Sequence, residues 1–212
     1  ELVSDWGQYN TQSRKAAFFY NVRMRSNDDV IHTDTLFYDT RTSLAHVTGP
    51  SKIVSGDNVI HTADGYFNSK TDLSQLFGRS TIVNKEKTIT GDSLFHDNTT
   101  GLNEGFGNVV YKDTVNKNQL LCDHLFYNDK TGYGYATRKA LMKDYSQQDT
   151  LYVHADTLKL YTFNINTDSV YRMVHGYRHV KAYRKDVQAL CDSMVFSSLD
   201  SCLTMYQDPV AW

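Results

Sequence analysis

One short pattern recurs six times along this chain, and it constrains the fold more than any other feature. The copies are Ile31-His32-Thr33-Asp34-Thr35-Leu36-Phe37-Tyr38, His61-Thr62-Ala63-Asp64-Gly65-Tyr66-Phe67 and Ile89-Thr90-Gly91-Asp92-Ser93-Leu94-Phe95-His96. The later ones are Leu120-Leu121-Cys122-Asp123-His124-Leu125-Phe126-Tyr127, Val153-His154-Ala155-Asp156-Thr157-Leu158 and Ala189-Leu190-Cys191-Asp192-Ser193-Met194-Val195-Phe196. Successive Asp residues lie 30, 28, 31, 33 and 36 positions apart, and Asp5 lies 29 before Asp34 as a degenerate first copy. A fixed period of this size marks a repeat architecture.

Each copy places a small residue before the Asp and a large apolar one two positions after it. A polar turn such as Asp39-Thr40-Arg41-Thr42 or Asn128-Asp129-Lys130-Thr131-Gly132 follows, and then a second apolar stretch. That stretch passes a glycine 14 or 15 residues beyond the Asp in three copies (Gly49, Gly78, Gly107). The fourth copy has Thr137 there, and the fifth has Gly176 at 20. Apolar residues do not recur with helical spacing, while Val, Ile, Thr, Tyr and Phe dominate, so the period holds two strands. At about 3.3 Å per residue each strand runs roughly 30 Å. Leu36 and Phe37 are consecutive and both large, so simple alternation would leave one wet. A bend or bulge is expected at the small residue–Asp step.

Stacked on neighbouring strands, the repeated carboxylates would repel unless each accepts hydrogen bonds. The expectation is an Asx-turn role at the corner, satisfying backbone N–H groups. Calcium-binding loops rich in glycine and acid are missing, and identical carboxylates do not provide the contrasting environments that acid–base catalysis needs. His175 and His179 would stand about 13 Å apart on one strand, too far for a shared metal. His32 and His61 read as outward polar residues. No nucleophile elbow, phosphate loop or dinucleotide motif is present. The chain reads as a non-enzyme without a cofactor.

Arg172, Arg178, Lys181, Arg184 and Lys185 form a basic cluster, with Arg138, Lys139 and Lys143 as an extension. Two readings stand: a guarded edge strand, or capture of phosphate or carboxylate on a lipid headgroup. The overall charge of −2 lacks the basic excess of a nucleic-acid binder. The longest apolar run, Ala16–Tyr20, is far short of a membrane span. No leader pattern opens the sequence, so any signal peptide is expected to have been removed already. Cys122, Cys191 and Cys202 are odd in number, which rules out a complete disulfide framework, although a Cys191–Cys202 bridge across one hairpin stays open.

These units, with Leu94-Phe95-His96-Asp97, Gly107-Asn108-Val109 and the closing Asp208-Pro209-Val210-Ala211-Trp212, resemble the OstA/LptA family of lipopolysaccharide transport proteins over residues 15–212. The likeness leans toward the OstA-like proteins of Bacteroidetes. It implies an all-β, open jellyroll of two twisted antiparallel sheets, a single domain over 1–212 that continues past residue 212. It also implies a periplasmic location, association with the outer membrane, lipid A acyl chains held between the sheets, and end-to-end stacking with related domains or a second copy. On that reading Leu36, Phe37, Tyr66, Phe67, Leu94, Phe95, Leu125, Phe126 and Leu158 line an apolar groove, in which each buried CH₂ contributes about 0.8 kcal/mol.

Core packing is the alternative for every one of these residues. A structural or adhesive β-repeat module, with Tyr133, Tyr135 and Tyr177 exposed on one face and a filled interior, is the rival function.

Overall fold

The computed structural model describes residues 1–26, 29–165 and 167–212. The chain divides into two compact units, Glu1–Thr100 and Gly101–Trp212. Unit 1 holds β1 (Leu2–Val3), β2 (Trp6–Asn10), β3 (Lys15–Ser26), β4 (Asp29–Asp39), β5 (Leu44–Ser55), β6 (Asn58–Asn68), β7 (Leu73–Asn84) and β8 (Lys87–Asp97). Unit 2 holds β9 (Leu102–Asp113), β10 (Asn118–Asn128), β11 (Tyr133–Asp144), β12 (Leu151–Phe163), β13 (Tyr171–Arg184), β14 (Val187–Ser197), β15 (Cys202–Tyr206) and β16 (Val210–Ala211). All pairings within each unit are antiparallel. From β3 to β8, and again from β9 to β15, each strand pairs with its neighbours in sequence. The expected all-β antiparallel class is what the chain adopts.

The bend expected at the small residue–Asp step is present. Every long strand pair shifts register there, as between His32 and Thr35 on β4 or Cys122 and His124 on β10. The facing strand supplies two residues against one, with a left-handed backbone at Tyr20–Asn21, Gly49, Gly78, Gly107–Asn108, Arg138–Lys139 and Arg178–His179. The constant glycine thus marks the bulge in three strands. Where glycine fails, Arg138 and Arg178 take the same conformation, so the bulge lies one residue past Thr137 and two past Gly176. Gly176 does different work: a Cβ there would meet Met194 Cγ at 3.1 Å and Val180 Cγ2 at 3.2 Å.

The polar turns are built alike. The side-chain oxygens of Asn10, Asp39, Asn68, Asp97 and Asn128 each accept the N–H groups two and three residues on, at 2.9–3.2 Å. The fifth residue of each turn (Arg14, Ser43, Asp72, Gly101, Gly132) has positive φ. The carbonyl of that residue accepts an N–H from a later hairpin, as from Ser69 of the next turn to Ser43 at 3.3 Å and from Thr162 near the end of β12 to Gly132 at 2.9 Å. The Asx-turn role expected of the repeated Asp thus falls, for Asp5, Asp34, Asp92 and Asp123, to the turn residue five positions later.

This turn spacing also corrects the second copy. Asn68 lies five residues after Ala63, as Asp39 lies five after Asp34. In the ladder Gly65, not Tyr66, stands on the rung of Leu36, Val47, Leu76 and Leu94. Ala63 therefore occupies the corner and Asp64 the place of Thr35. Leu76 Cδ2, 3.0 Å from where a Gly65 Cβ would sit, fills the space that Leu36 and Leu94 fill on their own strands.

Candidate functional site

The bulge changes which parity faces inward, so residues on both sides of it reach one interior. In unit 1 the core joins Ile31, Ile53, Ile60 and Ile82, before or beyond the corner, with Leu36, Val47, Leu76 and Leu94 across it. At the corner itself the inward row is Val22, Thr33, Ser51, Thr62, Ser80 and Gly91, all small. Thr33 and Ser51 hydroxyls lie 2.7 Å apart, and those of Thr62 and Ser80 2.8 Å apart. Ser51 also donates to the Gly49 carbonyl at 2.8 Å, and Ser80 to that of Gly78 at 3.0 Å. These buried hydroxyls thereby satisfy carbonyls that the bulge removes from the ladder. In unit 2 the same row is apolar: Val109, Cys122, Ala140, Ala155, Val180 and Cys191.

The nine residues expected to line one groove separate onto two faces. Leu36, Phe67, Leu94, Leu125 and Leu158 are buried in the interior. Phe37 is 42% exposed on the opposite face, and Tyr66, Phe95 and Phe126 lie half-buried there. On that outer face of unit 1 the rings of Trp6, Phe19, Phe37, His46, Tyr66 and Phe77 touch in sequence, with centroids 4.2–6.2 Å apart. In unit 2 the outer rings run Phe106, His124, Tyr135, Tyr133, Tyr161, His175 and Tyr177, with Phe126 stacked on Tyr135 at 5.1 Å. Tyr133 and Tyr135 are half-buried, and Tyr177 is exposed.

The two interiors differ. In unit 1 the middle of the inner face is closed, with Ile31, Leu36, Val47, Ile53, Ile60, Leu76 and Leu94 at no more than 1% exposure and Phe18, Tyr38 and Ile89 half-buried at its margins. In unit 2 the corresponding rungs carry Gly105, Gly134, Ala136 and Gly176 among larger residues. Tyr111, Leu120, Met142, Leu160 and Val174 are only half-buried, and Phe196 and Leu203 are exposed. Tyr111 and Tyr127 are inner phenols whose pKa burial pushes upward, keeping them neutral donors. This solvent-reached inner face was missed in the sequence because part of its signal is a deficit: Gly105, Ala136 and Gly176 stand on the rung where unit 1 has Leu36, Val47, Leu76 and Leu94.

The repeated Asp residues face side chains of the adjoining bulges. Asp92 meets Arg79 at 3.1 Å, Asp123 meets Lys139 at 3.5 Å, and Asp156 meets His179 at 3.0 Å. His175 instead bonds Tyr177 Oη at 3.1 Å; burial and Lys159 lower its pKa. The two histidines thus have separate partners. Among the described residues no three His, Cys, Asp or Glu side chains could hold a metal ion together. Nor does the structure gather the basic cluster. Arg172 and Arg184 occupy opposite ends of β13, about 40 Å of strand apart, and Arg184 is held by Asp186 at 2.6 Å. The three cysteines are free thiols, so no Cys191–Cys202 bridge forms.

No curated protein matches the chain. Among solved structures it is similar to LptH from Pseudomonas aeruginosa, described as the LptA homologous periplasmic component of the conserved lipopolysaccharide transport device. Identity is 8%, coverage 71% of this chain and 82% of that one, and the TM-score 0.30. Residues 19–92, from the bulge of β3 to the corner of β8, match the family model of the OstA-like proteins, and that segment of the chain is similar to them.

Proposed function

We propose that the protein is a non-catalytic periplasmic module of lipopolysaccharide transport, binding acyl chains on an inner apolar face and helping to relay the lipid toward the outer membrane. The observation that carries the reading is the OstA-like segment at residues 19–92. On this proposal the strands form an open jellyroll whose partners are lipopolysaccharide and further jellyroll domains end to end. The acyl chains sit in unit 2 rather than unit 1. Leu125 and Leu158 form the floor there, and Leu120, Met142, Leu160 and Val174 offer half-exposed apolar surface. At about 25 cal/mol per Å², covering such a surface with lipid supplies the driving force.

A photo-crosslinking residue in place of Leu160 tests it. Adducts with lipopolysaccharide are expected at Leu160 and not at Phe126, which lies on the outer face. Equal labelling at both positions, or none, removes the proposal. The closed interior of unit 1, with its outer row of touching rings, favours a second reading: a rigid interaction module whose interior is only core. That reading predicts no adduct at Leu160.

A further inference from the structure

Four basic or imidazole side chains that are far apart in sequence stand on one rung of unit 1. The register sets Arg23 opposite His32, His32 opposite Lys52, and Lys52 opposite His61. All four are exposed. They occupy β3, β4, β5 and β6, strands paired on both sides, so they are not guards of a free edge. Thr81 and Thr90 continue the same rung on β7 and β8, so the position accepts neutral residues. A shallow cleft of about 560 Å³ runs along this rung, lined also by Asn21, Thr33, Pro50, Ser51 and one carboxylate, Asp34. No ion pair engages Arg23, Lys52, His32 or His61 among the described residues, and Arg25 adds a further exposed cation two residues along β3.

We propose that this row is a binding site for a ligand bearing two or more phosphate groups, laid across β3–β6. Neighbouring strands are about 4.8 Å apart, so the four side chains span about 14 Å. That length suits phosphates on adjacent sugars or along a short phosphate chain. Arg23 offers a two-pronged contact and Lys52 a point charge, and each imidazole offers at least one N–H donor in either protonation state. The single carboxylate, Asp34, accepts from the Thr35 hydroxyl at 3.1 Å. The row lies on the face away from the interior, so the inference goes beyond acyl-chain binding and does not need it.

Calorimetric titration of the full chain with inorganic tripolyphosphate at low ionic strength tests the site. Arg23→Gln/Lys52→Gln and His32→Gln/His61→Gln should each weaken binding tenfold or more, while Lys185→Gln should not. A parallel arm uses detergent micelles carrying bisphosphorylated lipid A or the same lipid without phosphates. Loss of phosphorylated-micelle binding alone in the variants identifies a lipid headgroup as the source, and loss in both arms identifies phosphate itself. Affinities unchanged by the variants, or no binding in either arm, overturn the proposal. Lys52→Thr should melt no lower than the parent, since Thr81 and Thr90 occupy the same rung on β7 and β8. A lower melting temperature would mean a structural role and would also overturn it. Crosslinking at Leu160 should survive in Arg23→Gln/Lys52→Gln, which separates failure of this site from failure of the acyl-binding reading.

Discussion

Thr33 Oγ1 lies 2.7 Å from Ser51 Oγ at the inner corner of unit 1, and both atoms also reach carbonyls of the bulge. Replacing Thr33 by Val keeps the shape but leaves Ser51 its bond to Gly49 alone. The expected loss is about 1 kcal/mol. The double variant Thr33→Val/Ser51→Ala should be less than additive in urea unfolding, because Val109 and Cys122 fill the equivalent row of unit 2. Strict additivity would show that the hydroxyl pair carries no coupling.

Consecutive residues on β4 separate the two faces sharply. Leu36 is fully buried, so Leu36→Ala should cost about 2–5 kcal/mol. Phe37 contacts Phe19 and His46 on the exposed side, and Phe37→Ala should cost about 1 kcal/mol. Equal losses would contradict the assigned parity.

Acid sensitivity is built into the turns. The Arg41 backbone N–H bonded to Asp39, and the Thr100 hydroxyl and backbone N–H bonded to Asp97, hold both carboxyls below the usual range. A depressed folded-state pKa gives stability that is present above the unfolded value of about 3.9 and is lost as pH falls through the folded one. Asn10, Asn68 and Asn128 make the same turn without a charge, so Asp39→Asn/Asp97→Asn should keep stability near neutrality and flatten its decline as pH falls below about 3.9. Urea midpoints across that range measure it. A parallel acid limb would refute the assignment.

Thiol reactivity should divide the three cysteines. Burial pushes the Cys122 thiol up to about 12, whereas Cys202 is exposed. Iodoacetamide at pH 8 should label Cys202 promptly and Cys122 only after unfolding. Prompt modification of Cys122 in the native protein would show that the corner of β10 opens.

The repeat was legible because every copy but the second keeps its small residue, acid and apolar partner in register, and Leu36, Leu94, Leu125 and Leu158 fell on the inner face. The second copy misled because Asp64 looks like the corner Asp, while the turn at Asn68 sets the register one residue earlier. The phenylalanines read as lining because adjacency hides parity: the bulge at Asp34 sends Thr33 and Leu36 to one side and Phe37 to the other. The local cluster from Arg172 to Lys185 is dispersed by the length of β13. Arg23, His32, Lys52 and His61, spaced 9, 20 and 9 residues apart, are united only by pairing. His32 and His61 do point outward as expected, but Lys52 stands between them.

Because the long strands of each unit pair with their chain neighbours, with only the short β1 and β16 added on β3 and β14, cooperativity within a unit passes from hairpin to hairpin. Early folding contacts are short in sequence and cheap in loop entropy. Hydrogen exchange should therefore be graded, fastest in β1 and β2 at one margin of unit 1 and slowest around β5 and β6. The outermost strands can detach and re-form without disturbing the rungs further in.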